Sequence, residues 1–159
     1  MLVFDGAMGT QIQGHQLKAS EFGGQEGAND LLTLTRPDLI EDIHGRYFAA
    51  GCDVVETNTF GSSRLKLDEY GLGHRTYEVN FKAAIVARRA AERHATAGRP
   101  RFVAGSMGPS GMLPSSSDPA LGNVTPDALE RIYLEQARGP IEGGVGAHAI
   151  ETQQDVLEM

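Results

Sequence analysis

Cysteine, tryptophan and long apolar runs are scarce in this chain of 159 residues, which holds one cysteine, Cys52, and no tryptophan. A single cysteine excludes an internal disulfide, so a reducing compartment is the default. No apolar stretch reaches the roughly 18 residues that indicate a transmembrane helix. The opening Met1 to Asp5 is too short and too acidic for a signal peptide. These absences predict a soluble, cytoplasmic protein.

Basic residues are also few: 14 Lys and Arg stand against 21 Asp and Glu, which gives a net charge of -7. A nucleic-acid surface needs clustered Lys and Arg to meet the phosphates, so this class of function is excluded. The one basic cluster, Arg88, Arg89 and Arg93, alternates with alanines and is typical of the solvated face of a helix. Length and composition allow one globular domain with a core.

Short apolar runs alternate with segments of helical periodicity. The runs predict strands at 2–4, 53–56, 101–104 and 147–150, and the periodic segments predict helices at Pro37–Ala50, at 77–95, from Thr125-Pro126 onward and, for barely a turn, at 155–159. This alternation predicts a parallel sheet with right-handed crossovers. Two architectures fit: the first half of a (β/α)₈ barrel, which takes about 250 residues in full, or a small doubly wound sheet.

Polar residues follow each predicted strand, where function gathers in parallel α/β proteins. Asp5 and Glu151 are the pair of greatest interest. Two carboxylates at one edge can hold an ammonium group, share a proton or bind a metal. Each can equally cap the next element, which is the commonest role of Asp at such a position. The residues alone leave these alternatives open.

Other candidate groups are less informative. The glycine turns at 6–9 and 108–111 can offer backbone N–H groups or can simply be tight turns. No nucleotide-binding glycine pattern occurs, and the histidines show no metal-ligand spacing. Cys52 lies between a predicted helix and a predicted strand, which places it at the opposite end of the sheet as a small core residue.

Six strings match, in order and spacing, the homocysteine S-methyltransferase family. They are DGAMGT at 5–10, NDLL at 29–32, ETNTFG at 56–61, GSMGP at 105–109, MLP at 112–114 and IETQQD at 150–155. The sequence resembles this family along essentially its whole length. It is most similar to the N-terminal module of the family's cobalamin-dependent branch, the methionine synthases, especially at 29–40 and 111–123.

The resemblance implies a (β/α)₈ TIM barrel that binds homocysteine on a zinc ion held by three cysteine thiolates, with methylcobalamin as the methyl donor. It implies that Asp5 and Glu151 hold the substrate ammonium. The backbone of Gly6 and Ala7, together with Ser106, would meet the carboxylate. The residues that would line the pocket are Asn58, Thr59 and Phe60. Residues 1–159 would be the N-terminal half of the homocysteine-binding domain.

The family's zinc cysteines would lie beyond Met159, and Cys52 matches none of them. Zinc and methylcobalamin are therefore expected only in the complete domain and enzyme, and we expect no turnover by this chain alone. Its expected partners are homocysteine, the remaining barrel half and the folate and cobalamin modules, with self-association through open barrel edges. The alternatives are a cobalamin-independent homocysteine methyltransferase using S-methylmethionine, and a non-catalytic half-barrel that binds an amino acid or a partner.

Two features near the end depart from an ordinary α/β pattern. Pro140 falls inside the third long helix, where it removes a hydrogen bond and is expected to kink it, at a cost of about 3 kcal/mol. The Gly-Ala-His-Ala stretch at 146–149 holds weak strand formers. We therefore expect the fourth strand to pack poorly.

Overall fold

A computed structural model describes the whole chain, residues 1–159. Three strands form the sheet: β1 (Val54–Glu56), β2 (Phe102–Met107) and β3 (Ala147–Ile150). The helices are α1 (Met8–Gln13), α2 (Leu32–Thr35), α3 (Pro37–Ala50), α4 (Arg64–Asp68), α5 (Thr76–His94), α6 (Pro119–Gly122) and α7 (Pro126–Glu142). Single 3₁₀ turns occur at Ala19–Phe22, Asn29–Leu31, Gly73–Arg75 and Val156–Glu158.

The sheet is parallel and its strands follow one another in chain order, β1-β2-β3. The predicted first strand is reduced to one parallel bridge between Phe4 and Val54, with the Val3 carbonyl accepting from the N–H groups of Asp53 and Val54. A sequential order without reversal is that of a (β/α)₈ barrel, whereas a doubly wound sheet reverses its order at a switch point. The order therefore decides between the two predicted architectures.

The long helices begin and end where local sequence predicts. Pro37 opens α3, and Gly51 ends it with a φ of 114°, a conformation that suits glycine. Thr125 caps α7, its side chain accepting from the N–H of Ala128. The bounds of α5 differ from the prediction by one residue at each end. Asp155 caps the last 3₁₀ turn in the same way.

The core lies between the sheet and the helices. Val55 and Val103 pack with Phe48 of α3 and with the alanines of α5. Because side chains alternate along a strand, Glu56, Ala104 and Ser106 point to the opposite face. His44 of α3 is fully buried with neither ring nitrogen hydrogen-bonded, and burial lowers its pKa to about 4. The imidazole is therefore neutral near pH 7.

Cys52 is a core residue, as predicted. Its side chain is buried and packs in the cluster beneath β1, and burial raises its pKa to about 11. A thiol with a raised pKa is a poor nucleophile and a poor metal ligand. None of the helices combines the length and the apolar character needed to cross a membrane.

The two unusual features near the end of the chain both lie against Gly105 of β2. His148 of β3 is the register partner of Gly105 in β2. A Cβ at Gly105 would lie 2.8 Å from Nδ1 of His148 and 3.0 Å from Cβ of Pro140. The α-helix continues past Pro140 to Glu142, so the proline lies in the last turn. The β3 residues remain half-buried or exposed, which agrees with the expected poor packing.

Replacing Gly105 with alanine should therefore destabilise the chain. The added methyl would overlap both neighbours, and forced overpacking costs about 1–3 kcal/mol. Urea unfolding followed by circular dichroism measures this loss. Gly98→Ala is the matched control, because a Cβ there meets nothing within 4 Å. Equal stability of the two variants would contradict the close contact.

Candidate functional site

A cavity of about 740 Å³ lies at the carboxyl ends of the strands. Its inner wall is formed by the segments that follow the four extended stretches. Its outer wall includes Lys66, Glu69 and Tyr70. The predicted site residues that line it are Asp5, Gly6, Ala7, Asn58, Thr59, Phe60, Ser106 and Glu151. The structure thus brings every predicted residue into one cavity.

Three carboxyl groups meet on the inner wall. The N–H of Glu56 donates to both carboxylate oxygens of Asp5 at 3.2 Å. The Ser106 hydroxyl donates to Oε1 of Glu151 at 2.7 Å. Burial raises the pKa of Asp5 to about 7. Burial and a hydrogen bond to Glu151 raise the pKa of Glu56 to about 8. This wall therefore retains protons near neutrality.

Buried hydroxyls connect the ends of β1 and β2. Thr59 Oγ1 donates to the Ser106 carbonyl at 2.8 Å and lies 2.6 Å from Thr57 Oγ1. Thr57 Oγ1 accepts from the Ser106 N–H at 3.0 Å. Because the Thr59 proton is committed, the Thr57 hydroxyl donates to Thr59. Each hydroxyl donates one hydrogen bond and accepts another, and this chain of bonds fixes the Ser106 backbone at the end of β2.

The loop after β1 is also held by amides and a buried carboxyl. Gln136 of α7 is fully buried and donates to the Thr59 carbonyl at 3.0 Å. The Asn58 amide donates to the Asn29 carbonyl at 2.8 Å. Asp30 accepts from the Gly61 N–H and the Ser62 hydroxyl. The hydrogen bonds of these groups are made within the protein. The groups therefore shape the wall and do not offer free donors to the cavity.

The predicted residues therefore differ in what they offer to a ligand. The Asn58 amide and the Thr59 hydroxyl are engaged with the protein, while the backbone N–H groups of Gly6 and Ala7 have no protein acceptor. Phe60 is 46% exposed at the mouth of the cavity. The roles of Glu56, Thr57, Asp30 and Gln136 were not predicted from the sequence. Glu56 was the detectable one, since it ends the predicted strand at 53–56, much as Asp5 directly follows the predicted strand at 2–4.

The donor set of this chain does not fit the zinc site that the resemblance implies. No group of three or more His, Cys, Asp or Glu side chains is arranged to hold a metal ion. The one cysteine, Cys52, is buried at the other end of the sheet with a raised pKa. A three-thiolate site cannot be assembled from these residues, and we derive no catalytic step through zinc.

A sequential parallel sheet with a polar cavity at its carboxyl edge defines a barrel-type α/β protein. The family model for homocysteine S-methyltransferase matches residues 2–159. The chain belongs to the homocysteine S-methyltransferase family.

Two curated relatives extend this assignment. The chain is 42% identical over all 159 residues to methionine synthase from Mycobacterium leprae (strain TN), of which it covers 13%. The same identity and coverage hold for methionine synthase from Mycobacterium tuberculosis (strain ATCC 25618 / H37Rv). The chain therefore spans a small part of the length of these relatives.

Among solved structures, the homocysteine methyltransferase MmuM from Escherichia coli superimposes with a TM-score of 0.79 in its oxidized form. Identity is 20%, and the match covers 99% of this chain and 55% of that one. Its metallated form gives a TM-score of 0.78 at 21% identity. At this identity the likeness shows the fold, and it confirms the predicted half of a TIM barrel.

The raised pKa values predict that stability falls as pH rises. Asp5 and Glu56 keep their protons in the folded chain up to pH values of about 7 and 8, but ionise near the ordinary pKa values of 3.8 and 4.5 when unfolded. Their contribution is complete below pH 4 and is lost through pH 8. Between low and high pH, Asp5→Asn should therefore lose about 1–2 kcal/mol less folding stability than the parent, a figure that allows for solvent screening. The corresponding difference for Glu56→Gln should be smaller.

Urea unfolding of each variant and the parent at pH 5 and pH 8.5 measures this difference. The comparison with the parent cancels the contributions of other titrating groups, including His44, to the change in stability. A variant that loses as much stability as the parent between the two pH values would contradict the protonated state of that carboxyl.

Proposed function

We propose that residues 1–159 are the N-terminal half of a homocysteine-binding TIM-barrel domain in a cobalamin-dependent methionine synthase. The complete enzyme would transfer a methyl group from methylcobalamin to the homocysteine thiol to give methionine. The observation that carries this proposal is the cavity that joins Asp5, Ser106 and Glu151 at the carboxyl edge of the sheet. Identity of 42% to two methionine synthases favours this enzyme over the cobalamin-independent methyltransferases.

The carboxylates suit the ammonium group of an amino acid. Asp5 and Glu151 line the same wall, and neither is in a salt bridge with Lys, Arg or His. Buried charges need a partner, so an ammonium group is a stabilising occupant here. The amino group of homocysteine would lie between the two carboxylates.

The substrate carboxylate would bind on the adjacent surface. The free N–H groups of Gly6 and Ala7 can donate to it. The Ser106 hydroxyl now donates to Glu151. When the substrate ammonium supplies the donor for Glu151, the Ser106 hydroxyl is released to turn toward the substrate carboxylate. One serine thus couples recognition of the two ends of an amino acid.

Zinc and methylcobalamin would be held by parts of the complete enzyme other than these residues. The role of the present chain is to bind and orient homocysteine, with Asn58, Thr59 and Phe60 lining the pocket. A non-catalytic amino-acid-binding module would use the same residues. The two functions differ in whether the longer protein turns over.

Calorimetric titration of homocysteine into this chain tests the proposed site. Asp5→Asn and Glu151→Gln should each weaken binding about 10- to 100-fold, because each removes a charge-assisted hydrogen bond to the ammonium. Homocysteine without its amino group should bind weakly to all variants. Zinc content, measured on the same samples, should be negligible.

Asp42→Asn and Glu92→Gln are the matched controls, since both carboxylates are exposed on helices away from the cavity. Both should bind as the parent does. Unchanged binding by Asp5→Asn and Glu151→Gln would contradict the proposed ammonium site between these two carboxylates. Stoichiometric zinc would contradict the placement of the metal site.

The same proposal assigns the edges of the sheet to the rest of the barrel. Leu2, Val3 and Phe4 are about half exposed at one edge. At the other edge, a mainly apolar groove of about 500 Å³ lies between β3, α7 and the last 3₁₀ turn. Ile150, in this groove, is 59% exposed. We propose that four further βα units cover both edges in the complete domain.

Without those units, a second copy should cover the same edges. We therefore expect the isolated chain to self-associate with increasing concentration in sedimentation velocity experiments. Ile150→Lys should shift it toward monomer, because a charge on an edge strand opposes pairing. Leu121→Lys, on α6, should leave association unchanged. A parent chain that stays monomeric at all concentrations would contradict the expectation that the sheet edges are open to pairing.

A further inference from the structure

Gly108, directly after β2, lies in close contact with Phe60, the aromatic residue at the mouth of the cavity. The Gly108 N–H donates to the Phe60 carbonyl at 3.1 Å, so it is not available to a ligand. A Cβ at position 108 would lie 2.6 Å from that carbonyl oxygen and 2.8 Å from both Cδ2 and Cε2 of the Phe60 ring. Glycine is therefore the residue that allows the ring to lie against this backbone.

The main chain on both sides of Phe60 is also held by hydrogen bonds. Gln136 donates to the Thr59 carbonyl at 3.0 Å, and the Gly61 N–H donates to Asp30 at 3.1 Å. These bonds fix the backbone before and after the aromatic residue. The turn after β2 then supports the ring itself.

The supported ring remains open to a ligand. Phe60 is 46% exposed and lines the cavity. Most of the lining is polar, and its other large side chains with apolar surface are Met8 and, on the outer wall, Tyr70. Gly108 comes two residues after Ser106, so the ring lies on the side of the cavity that Ser106 forms. An amino acid bound there by its ammonium and carboxylate groups would have its side chain free to contact the ring.

We propose that Gly108 is a positioning residue that supports the Phe60 ring at the cavity, and that the ring selects an amino acid with a sulfur-containing aliphatic side chain. Sulfur makes favourable contacts with aromatic rings, in addition to the gain from burying the methylene groups. A side chain at position 108 would displace the ring and weaken this selection. The inference rests on the proposed function, since its ligand is the amino acid assigned there.

The contact itself is measured without ligand, by NMR on a chain labelled at glycine and phenylalanine. Nuclear Overhauser effects should connect the Phe60 ring protons with the Hα protons of Gly108, because a Cβ in their place would lie 2.8 Å from the ring. Phe60→Ala assigns these signals by removing them. Their absence from the parent chain would overturn the inference whether or not any ligand binds.

The selection is measured by calorimetric titration of homocysteine and of 2-aminobutyrate, which has the same ammonium and carboxylate groups but no sulfur. The parent should bind homocysteine roughly 2- to 10-fold more tightly than 2-aminobutyrate. Phe60→Ala and Gly108→Ala should each reduce this ratio to about one, since each removes the ring from its position. Gly98→Ala is the matched control, because a Cβ there meets nothing within 4 Å, and it should keep the parent's ratio.

A double variant shows whether Gly108 acts through the ring. In the Phe60→Ala background, Gly108→Ala should still lower stability, because the clash with the carbonyl at position 60 remains, but should cause no further change in the affinity ratio. A further fall in the ratio would overturn the positioning role. If Gly108→Ala does not fold, a ratio that Phe60→Ala leaves unchanged would still overturn the selection.

The outcomes also separate this inference from the proposed clamp. Asp5→Asn should weaken both ligands and leave their ratio unchanged, since it acts on the shared ammonium group. Equal binding of the two ligands by the parent would overturn the selection and leave the clamp intact. Failure of the parent to bind either ligand would overturn the clamp and the selection together.

Discussion

The parallel register of the three strands is the constraint on which the candidate site depends. Glu56 pairs with Ala104, and Ser106 pairs with Ala149. The same pattern continues past the strands, where the Glu151 N–H donates to the Met107 carbonyl. A slip of one residue would move each side chain to the other face of the sheet. Carboxylates that now share a cavity would then lie among the helices, where their charge would oppose folding.

The register is itself supported by polar groups whose hydrogen bonds are made within the protein. The hydroxyls of Thr57 and Thr59 bond to each other and to the backbone of Ser106, and Gln136 reaches the same loop from α7. Buried polar groups cost free energy unless they are hydrogen-bonded. Because each donor has a specific acceptor, this wall has one favourable arrangement, which is what recognition of a small ligand requires.

Local signals allowed the sequence to predict some features and not others. The bounds of α3 follow from Pro37 and Gly51, and the start of α7 follows from Thr125, because caps act within a few residues. Asp5 and Glu151 were predicted because strand ends meet at one edge. The meeting of Glu56 and Glu151 in one cavity depends on the register across the strands, and the reach of Gln136 depends on helix packing. Neither has a local signal.

The contact between Gly105, Pro140 and His148 has a consequence for how this region can change. The three residues share one small volume between two strands and a helix. A larger residue at position 105 is compatible only with a smaller or differently oriented one at position 148, and the shape at position 140 limits both. Substitutions at these positions should therefore be accepted as sets rather than singly. His148 of β3 looks like an isolated anomaly in the sequence, but it is one of three positions that are expected to change together.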